Sequence, residues 1–302
     1  MERRTALIAV VVSAACFATL AVLTQLAYAE GATPLPLLTW RFALVSGLMA
    51  LYLALREPHA LRDGAADWRR YAALSLSGYG AASVCFFYAL KFTSAPVVAV
   101  LLYTYPAIVS VLAAVFGQER FTPARALALV LTFVGCVLVV GLFDGRVQVS
   151  LPGIALGLGA ALGYSVFNLL SYTLVGRRGR LVVMTYTFGI SAAAIAVVTL
   201  LAGESLSPLG WTPTLWLLLG AIVLVPTFIA VVLYLHGIRG LGAPQAAIVS
   251  TTEPLFTIVL AALVLPDSRL NAIQLVGAAF VVAGVIAAEW PRPTVAEEFA
   301  AI

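Results

Sequence analysis

Ten long apolar runs constrain the fold of this chain more than any other feature of its sequence. An α-helix needs about 20 apolar residues to cross the roughly 30 Å hydrocarbon core of a bilayer. Barrel strands would be about half as long and would alternate in polarity. The runs therefore predict an all-α integral membrane protein with ten transmembrane helices, near 6–28, 34–55, 69–90, 96–116, 125–143, 153–174, 182–202, 213–235, 244–264 and 270–290.

Composition supports a membrane protein, since 63% of the 302 residues are hydrophobic and only 10% are charged. Soluble domains are roughly half apolar and about one-quarter charged. The first run could instead be a cleaved signal peptide, because Arg3 and Arg4 precede it. It has a matching partner in the run near 153–174, which favours its retention in the folded protein.

A fixed period relates the two halves of the chain. Pro96 recurs as Pro244 and Pro106 recurs as Pro254, each pair 148 positions apart. A long constant period is the mark of a duplicated unit. We therefore expect two five-helix repeats followed by a short tail: a first repeat over 1–146, a second over 147–290, and a disordered cytoplasmic tail over 291–302.

Loop charges predict the orientation of the helices. Thirteen arginines fall in one set of alternate loops and three basic residues in the other. This bias places both termini in the cytoplasm. Because each repeat has an odd number of crossings, the second must enter the membrane from the opposite side. Inverted repeats of this kind are typical of secondary transporters, with a substrate site near the midplane. The arginines are spread over many loops, which argues against nucleic acid as a partner.

Residues around the repeated prolines point to a family. The first copy reads KFTSAP over Lys91–Pro96 and the second reads RGLGAP over Arg239–Pro244. Together with the helix count, this pattern resembles the drug/metabolite transporter superfamily, specifically its ten-helix EamA-type exporters. The resemblance implies export of small organic solutes across the bacterial inner membrane by alternating access. It favours amino acids, aromatic or otherwise neutral, and leaves cationic drugs or metabolites as the alternative.

Two charged residues within the apolar runs are candidates for a substrate site. Glu253 lies roughly 13 Å into helix 9 and Arg41 roughly 10 Å into helix 2, at the usual helical rise. Charges at such depth are costly and by default mark a functional site. Glu253 could instead satisfy backbone groups freed by Pro254. Arg41 could bind a substrate carboxylate, pair with Glu253, or extend to the outer interface, and its neighbour Trp40 favours the interface.

Tyrosines fall into two groups by their distance from helix ends. Those near the ends suit an aromatic belt: Tyr28, Tyr52, Tyr71, Tyr88, Tyr172 and Tyr234. A phenol in the middle of a helix needs a hydrogen-bond partner and should face protein or water, although packing is an alternative role for each. Four mid-helix tyrosines, two of them with a polar residue one turn on, are therefore predicted to line a cavity: Tyr79 with Ser83, Tyr103, Tyr105, and Tyr164 with Asn168.

Other predictions concern motion, assembly and chemistry. Pro106 and Pro254 are candidate kink or gating sites. Helices 5 and 10 have few polar residues and suit a scaffold or a homodimer face. The two histidines have no metal-ligand cluster, paired acids or nucleophile motif around them, so we expect no metal, no cofactor and no enzyme. A passive channel is also disfavoured, because no filter motif is found.

Overall fold

The computed structural model describes residues 3–93, 95–116, 122–140, 150–264 and 272–289. The predicted tail over 291–302 lies outside the described residues. Within these ranges the chain is mostly helical, and a non-helical connection runs over residues 202–212. No β-strand occurs in the described part of the chain.

The first half contains eight α-helices within the described residues. The third crossing includes two irregular stretches, a 3₁₀ turn over Ala65–Asp67 and a π-helical stretch over Leu74–Tyr79. The α-helices are α1 (Arg3–Ala29), α2 (Pro34–Arg56), α3 (Pro58–Gly64), α4 (Trp68–Ala73), α5 (Gly80–Phe92), α6 (Ala95–Leu102), α7 (Tyr105–Val115) and α8 (Pro123–Val140).

The second half has seven α-helices within the described residues and a π-helical stretch over Val223–Ile229. Its α-helices are α9 (Leu151–Arg178), α10 (Arg180–Leu201), α11 (Pro213–Ile222), α12 (Ala230–Leu241), α13 (Ala243–Ser250), α14 (Glu253–Val264) and α15 (Ala272–Glu289).

Seven helical segments within the described residues are long and apolar enough to cross a membrane. They coincide with the first four and the sixth to eighth predicted runs. Shorter apolar helices stand at the fifth and tenth runs, over Pro123–Val139 and Ala272–Ala287. The ninth run is divided between α13 and α14. The protein is therefore an all-α membrane protein, as the hydropathy predicts.

The same two backbone irregularities occur at matching places in the two halves. In the third crossing the π-helical stretch contains Gly78 with non-helical dihedrals (φ −109°, ψ −114°), and its counterpart contains Pro226. A proline inside a helix removes one backbone donor and displaces a carbonyl. The hydroxyl of Thr227 donates to the carbonyl of Ile222 at 2.6 Å, which supplies a partner near this irregularity.

The second irregularity is a helix break rather than a proline kink. The fourth crossing is interrupted at Tyr103–Thr104, between α6 and α7, and the ninth at Thr251–Thr252, between α13 and α14. Pro106 and Pro254 lie in the first turns of α7 and α14. Proline is favoured in a first helical turn because its missing N–H is not needed there. The two prolines thus begin new helices.

Packing between the halves is reciprocal. The first crossing of each half packs on the third crossing of the other, so α1 contacts α12 and α9 contacts α5. The remaining large contacts join corresponding crossings, α2 with α10 and α8 with α15. Such mutual contacts are expected when a two-fold axis relates the two halves, because each helix then makes the same contact as its counterpart in the other half.

Glycines allow α8 and α15 to approach closely. A Cβ atom at Gly277 would lie 2.8 Å from the carbonyl oxygen of Gly135 and 2.8 Å from the amide nitrogen of Val139. The two backbones are therefore in direct contact, in the manner of small-residue interfaces in membranes. The predicted homodimer through helices 5 and 10 could use only their other faces, where Phe133 and Phe280 are exposed.

Candidate functional site

A cavity of about 100 Å³ lies in the middle of the bundle. It is bounded by α1, α2, the third crossing, α6, α7, α9, α13 and α14. Of the eight residues predicted to form a substrate site, six line this cavity: Arg41, Tyr79, Ser83, Tyr105, Tyr164 and Glu253. Side chains from both halves thus converge on one space. The sequence alone could not show this convergence, because it depends on how the two halves pack.

Arg41 is held inside the bundle and is only 1% exposed. Its Nε donates to the hydroxyl of Thr227 at 2.7 Å, and its Nη2 donates to the hydroxyl of Tyr79 at 3.4 Å. Its guanidinium also lies 5.3 Å from the ring centroid of Phe42. Of the three alternatives for Arg41, extension to the outer interface is therefore excluded, and its hydrogen bonds within the described residues go to these hydroxyls.

The contacts of Trp40 explain why this residue suggested a position at the outer interface for its neighbour Arg41. Its indole nitrogen donates to the carbonyl of Leu206 in the loop after α10, at 3.0 Å. Its ring meets those of Trp211 and Trp216 at 6.4 and 6.1 Å. Adjacent residues on a helix point about 100° apart. Trp40 can therefore face an end-loop cluster while Arg41 faces the interior.

Glu253 is placed on the cavity by the helix break. It begins α14 immediately after Thr252, and its side chain is half-buried against the cavity. The first turn of a helix carries the positive end of the helix dipole, which favours a carboxylate. The break therefore provides both the position and part of the electrostatic support for an acidic group at this depth.

An aromatic cluster forms one wall of the cavity, with Tyr164 at its centre. The ring of Tyr105 stands edge-on to it at 4.9 Å, and the ring of Tyr79 lies 6.2 Å away. Phe167 and Tyr234 stack on Tyr164 at 5.6 and 6.1 Å. Edge and offset contacts at these distances are favourable and fix ring orientations. The wall is thus built from rigid amphipathic rings.

Hydrogen bonds beneath this wall hold it in place. The hydroxyl of Tyr105 donates to the carbonyl of Ala247 at 3.0 Å and also contacts the hydroxyl of Ser250. Asn168 accepts from the hydroxyl of Tyr234 at 2.5 Å and donates to the carbonyl of Tyr164 at 2.8 Å. Asn168 does not line the cavity, so its predicted role needs correction. Asn168 thus holds the side chain of Tyr234 by its hydroxyl and bonds the backbone of Tyr164 on its own helix.

Tyr103 was also predicted to line the cavity, and it does not. It packs against Cys136 and Val281, away from the cavity. Tyr103 and Tyr105 lie on either side of the break between α6 and α7, and of the two it is Tyr105 that lines the cavity.

Sequence reasoning assigned Tyr71 and Tyr234 to an aromatic belt, yet both are fully buried. Tyr52 and Tyr172 are 50% and 41% exposed, as a belt requires. The apolar lining residues were not singled out, because nothing in a sequence separates a cavity phenylalanine from a core one. These residues are Phe17, Leu20, Ala82, Phe86, Phe87 and Leu102.

A central cavity in a duplicated helical membrane bundle, with charged and aromatic side chains converging from both halves, defines the class of polytopic membrane transporters. Comparison with known families places the chain within that class. The EamA-like transporter family matches residues 4–141 and again 151–288. The chain belongs to this family, and it is a multi-pass transporter of the inner (plasma) membrane rather than an enzyme.

Individual relatives agree with the family. The chain is 26% identical over 258 residues to the uncharacterized transporter YyaM of Bacillus subtilis (strain 168), covering 82% of each. It is 28% identical over 284 residues to the uncharacterized transporter YcbK of the same organism, covering 89% of each. A crystal structure of a protein shares the fold with a TM-score of 0.77 at 21% identity, over 95% of this chain and 97% of the other.

Proposed function

We propose that the protein is a secondary transporter that exports neutral amino acids, aromatic ones among them, across the inner membrane by alternating access. The observation that carries this proposal is that Arg41 and Glu253 line one cavity. A zwitterionic amino acid has a carboxylate for the guanidinium and an ammonium for the carboxylate. The tyrosine wall would take the side chain, because small-molecule sites combine apolar surface with few convergent polar groups.

Reciprocal packing supports an inverted arrangement of the two repeats. A two-fold axis relating two units of five crossings must lie in the membrane plane, because the second unit starts from the opposite side. The positive-inside bias of the loops requires the same inversion. Alternating access then follows from rocking one half against the other around the cavity that both halves share.

The position of the cavity indicates which side is closed. Its lining residues on these segments fall in the later parts of α1 and of the third crossing and in the earlier part of α2, which is the outer side by the loop charges. On the inner side, the hydroxyl of Ser13 donates to the carbonyl of Ala230 at 2.7 Å, and Tyr105 and Tyr234 make the bonds described above. We infer a conformation closed to the cytoplasm and nearer to opening outward.

Cavity size fits this inference. About 100 Å³ is below the roughly 300–1,000 Å³ of sites that hold drug-sized ligands. An amino acid with a large side chain would therefore need the halves to separate. We propose that the halves separate by rotation about the breaks at 103–104 and 251–252. Pro106 and Pro254, in the first turns of α7 and α14, would limit how far these two helices can rotate.

Cationic drugs or metabolites are the second candidate substrate class. Glu253 and the aromatic wall favour them, since cations bind over aromatic rings and next to carboxylates. Arg41 opposes them, because it places a positive charge on the same cavity. Neutralising Arg41 thus separates the two candidates: amino acid transport should be lost and cation transport should be retained or improved.

The test is counterflow into proteoliposomes loaded with each neutral amino acid or with a quaternary cation. We expect saturable counterflow of neutral amino acids by the wild type, loss of it in Arg41→Gln, and no change in Arg177→Gln, an exposed arginine away from the cavity. Counterflow of cations alone would reject amino acids and keep the carrier. Non-saturable flux would instead indicate a channel.

Proton coupling through Glu253 is a separate part of the proposal. If a proton moves on and off this carboxyl during the cycle, Glu253→Gln should remove the pH dependence of transport while leaving counterflow possible. Full pH dependence in the Gln variant would exclude Glu253 as the coupling group.

A further inference from the structure

A second cavity, of about 420 Å³, lies at the other end of the bundle. It is formed where α2, α9 and α12 end and α10 begins, which is the cytoplasmic side by the loop charges. Its volume falls within the range of sites that hold small ligands. Its lining shares no residue with the central cavity.

Three arginines from three helices line this cytoplasmic cavity. Arg178 ends α9, Arg180 begins α10, and Arg239 lies in the last turn of α12. Glu57 is the acidic residue among the described lining residues. Arginine remains charged in proteins and carries five N–H donors. The cavity therefore has an excess of positive charge and of hydrogen-bond donors.

Each arginine is fixed by one side-chain contact among the described residues. Arg178 is held through Nε by Asp67 at 2.6 Å. Nη1 of Arg239 donates to the backbone carbonyl of Val175 in α9 at 3.0 Å, and Nη1 of Arg180 contacts Nδ1 of His236. One nitrogen of each guanidinium is thus engaged. The groups are positioned in advance, which lowers the entropy cost of binding an anion.

The first turn of α10 adds backbone donors to the same wall. Gly179 precedes this helix with φ 80° and no side-chain cap, and the first in-helix bond runs from Val183 to the carbonyl of Gly179 at 3.3 Å. The N–H groups of the three residues between them have no acceptor within the helix. Those residues, Arg180, Leu181 and Val182, all line the cavity.

We propose that this cytoplasmic cavity binds a phosphate group, carried by an acidic phospholipid headgroup or by a soluble phosphate. The guanidinium fork matches phosphate oxygens in pairs, and basic pockets between helix ends on the cytoplasmic side suit lipid headgroups. A phosphate held by Arg178, Arg180 and Arg239 would connect the ends of α9, α10 and α12. Binding should therefore stabilise the folded protein.

The experiment measures thermal unfolding of the purified full-length protein in detergent at constant ionic strength. The added compounds are inorganic phosphate, dihexanoyl phosphatidylglycerol, and dihexanoyl phosphatidylcholine as the zwitterionic lipid. Variants Arg180→Gln and Arg239→Gln are compared with Arg177→Gln, whose exposed side chain does not line the cavity. We expect a saturable rise in unfolding temperature, with the apparent Kd weakened about tenfold or more in each cavity variant and unchanged in the control.

The two sources of phosphate give different outcomes, and both would support the site. Stabilisation by inorganic phosphate assigns a soluble ligand; stabilisation by phosphatidylglycerol alone assigns a headgroup. Native mass spectrometry of the wild type should then retain one phosphatidylglycerol, a measurement that does not depend on the variants folding. The proposal is overturned if neither inorganic phosphate nor phosphatidylglycerol stabilises the protein, if phosphatidylcholine stabilises it as much as phosphatidylglycerol does, or if the cavity variants bind as the control does.

Discussion

The contact between Arg41 and Thr227 can be tested without knowing the substrate. Their bond of 2.7 Å joins the second and eighth crossings, and both side chains are buried. Hydrogen bonds to charged groups contribute about 1.5–3 kcal/mol in soluble proteins. Polar contacts between membrane helices average about 0.6 kcal/mol and reach about 1.7 kcal/mol. A short buried bond belongs at the upper end of the membrane range, so we expect a coupling energy of about 1.5 kcal/mol, roughly tenfold in the unfolding equilibrium.

The assay is a double-mutant cycle of reversible unfolding in mixed detergent micelles, with Arg41→Met, Thr227→Val and both together. Thr227 also donates to Ile222, but that loss occurs with and without Arg41 and cancels in the cycle. Thr132→Val is the matched control, because this buried hydroxyl bonds only carbonyls of its own helix. A coupling energy below about 0.5 kcal/mol, the usual limit of additivity, would refute the reasoning.

Three further predictions concern packing, the aromatic wall and access to the central cavity. Gly277→Ala should cost about 1–3 kcal/mol of stability by forcing two backbones apart, whereas Gly47→Ala, with nothing within 4 Å of the added carbon, should cost little in the same unfolding assay. Tyr234→Phe removes a buried hydrogen bond and should cost about 1–2 kcal/mol, while Tyr172→Phe at an exposed site should not; equal melting temperatures for the two would contradict this. In a cysteine-free background, Phe86→Cys should react with an impermeant thiol reagent added outside cells and not with the same reagent added outside inverted vesicles, where it reaches only the cytoplasmic face; the reverse labelling would show that the cavity faces inward.

Much of the fold is predictable because hydrocarbon thickness sets the length of an apolar run. Seven runs coincide with helical segments that are long and apolar enough to cross a membrane. The π-helical stretches were not predicted, since a six- or seven-residue change of hydrogen bonding leaves hydropathy unaltered. In the ninth run, Pro254 indicated a disturbance, but the break falls at Thr251–Thr252, just before it.

The site was predictable where burial itself is costly. Arg41 and Glu253 stand out because charge within an apolar run demands a reason. The direction in which each tyrosine points was not predicted correctly, because it depends on helical phase and on depth in the bundle. Tyr234 lies two turns from the end of α12 and still faces the interior. Tyr103 lies mid-crossing and faces away from the cavity.

The matching π-helical stretches have a consequence for how the two repeats are compared. Gly78 and Pro226 occupy equivalent positions, 148 residues apart, in the two stretches. A φ of −109° at Gly78 is outside the range near −65° that a proline ring permits. The residues are thus not interchangeable, although the irregularity is shared. Each repeat places a π-helical stretch at this position although the residue within it differs, so the likeness of the two repeats is clearer in backbone hydrogen bonding than in residue identity.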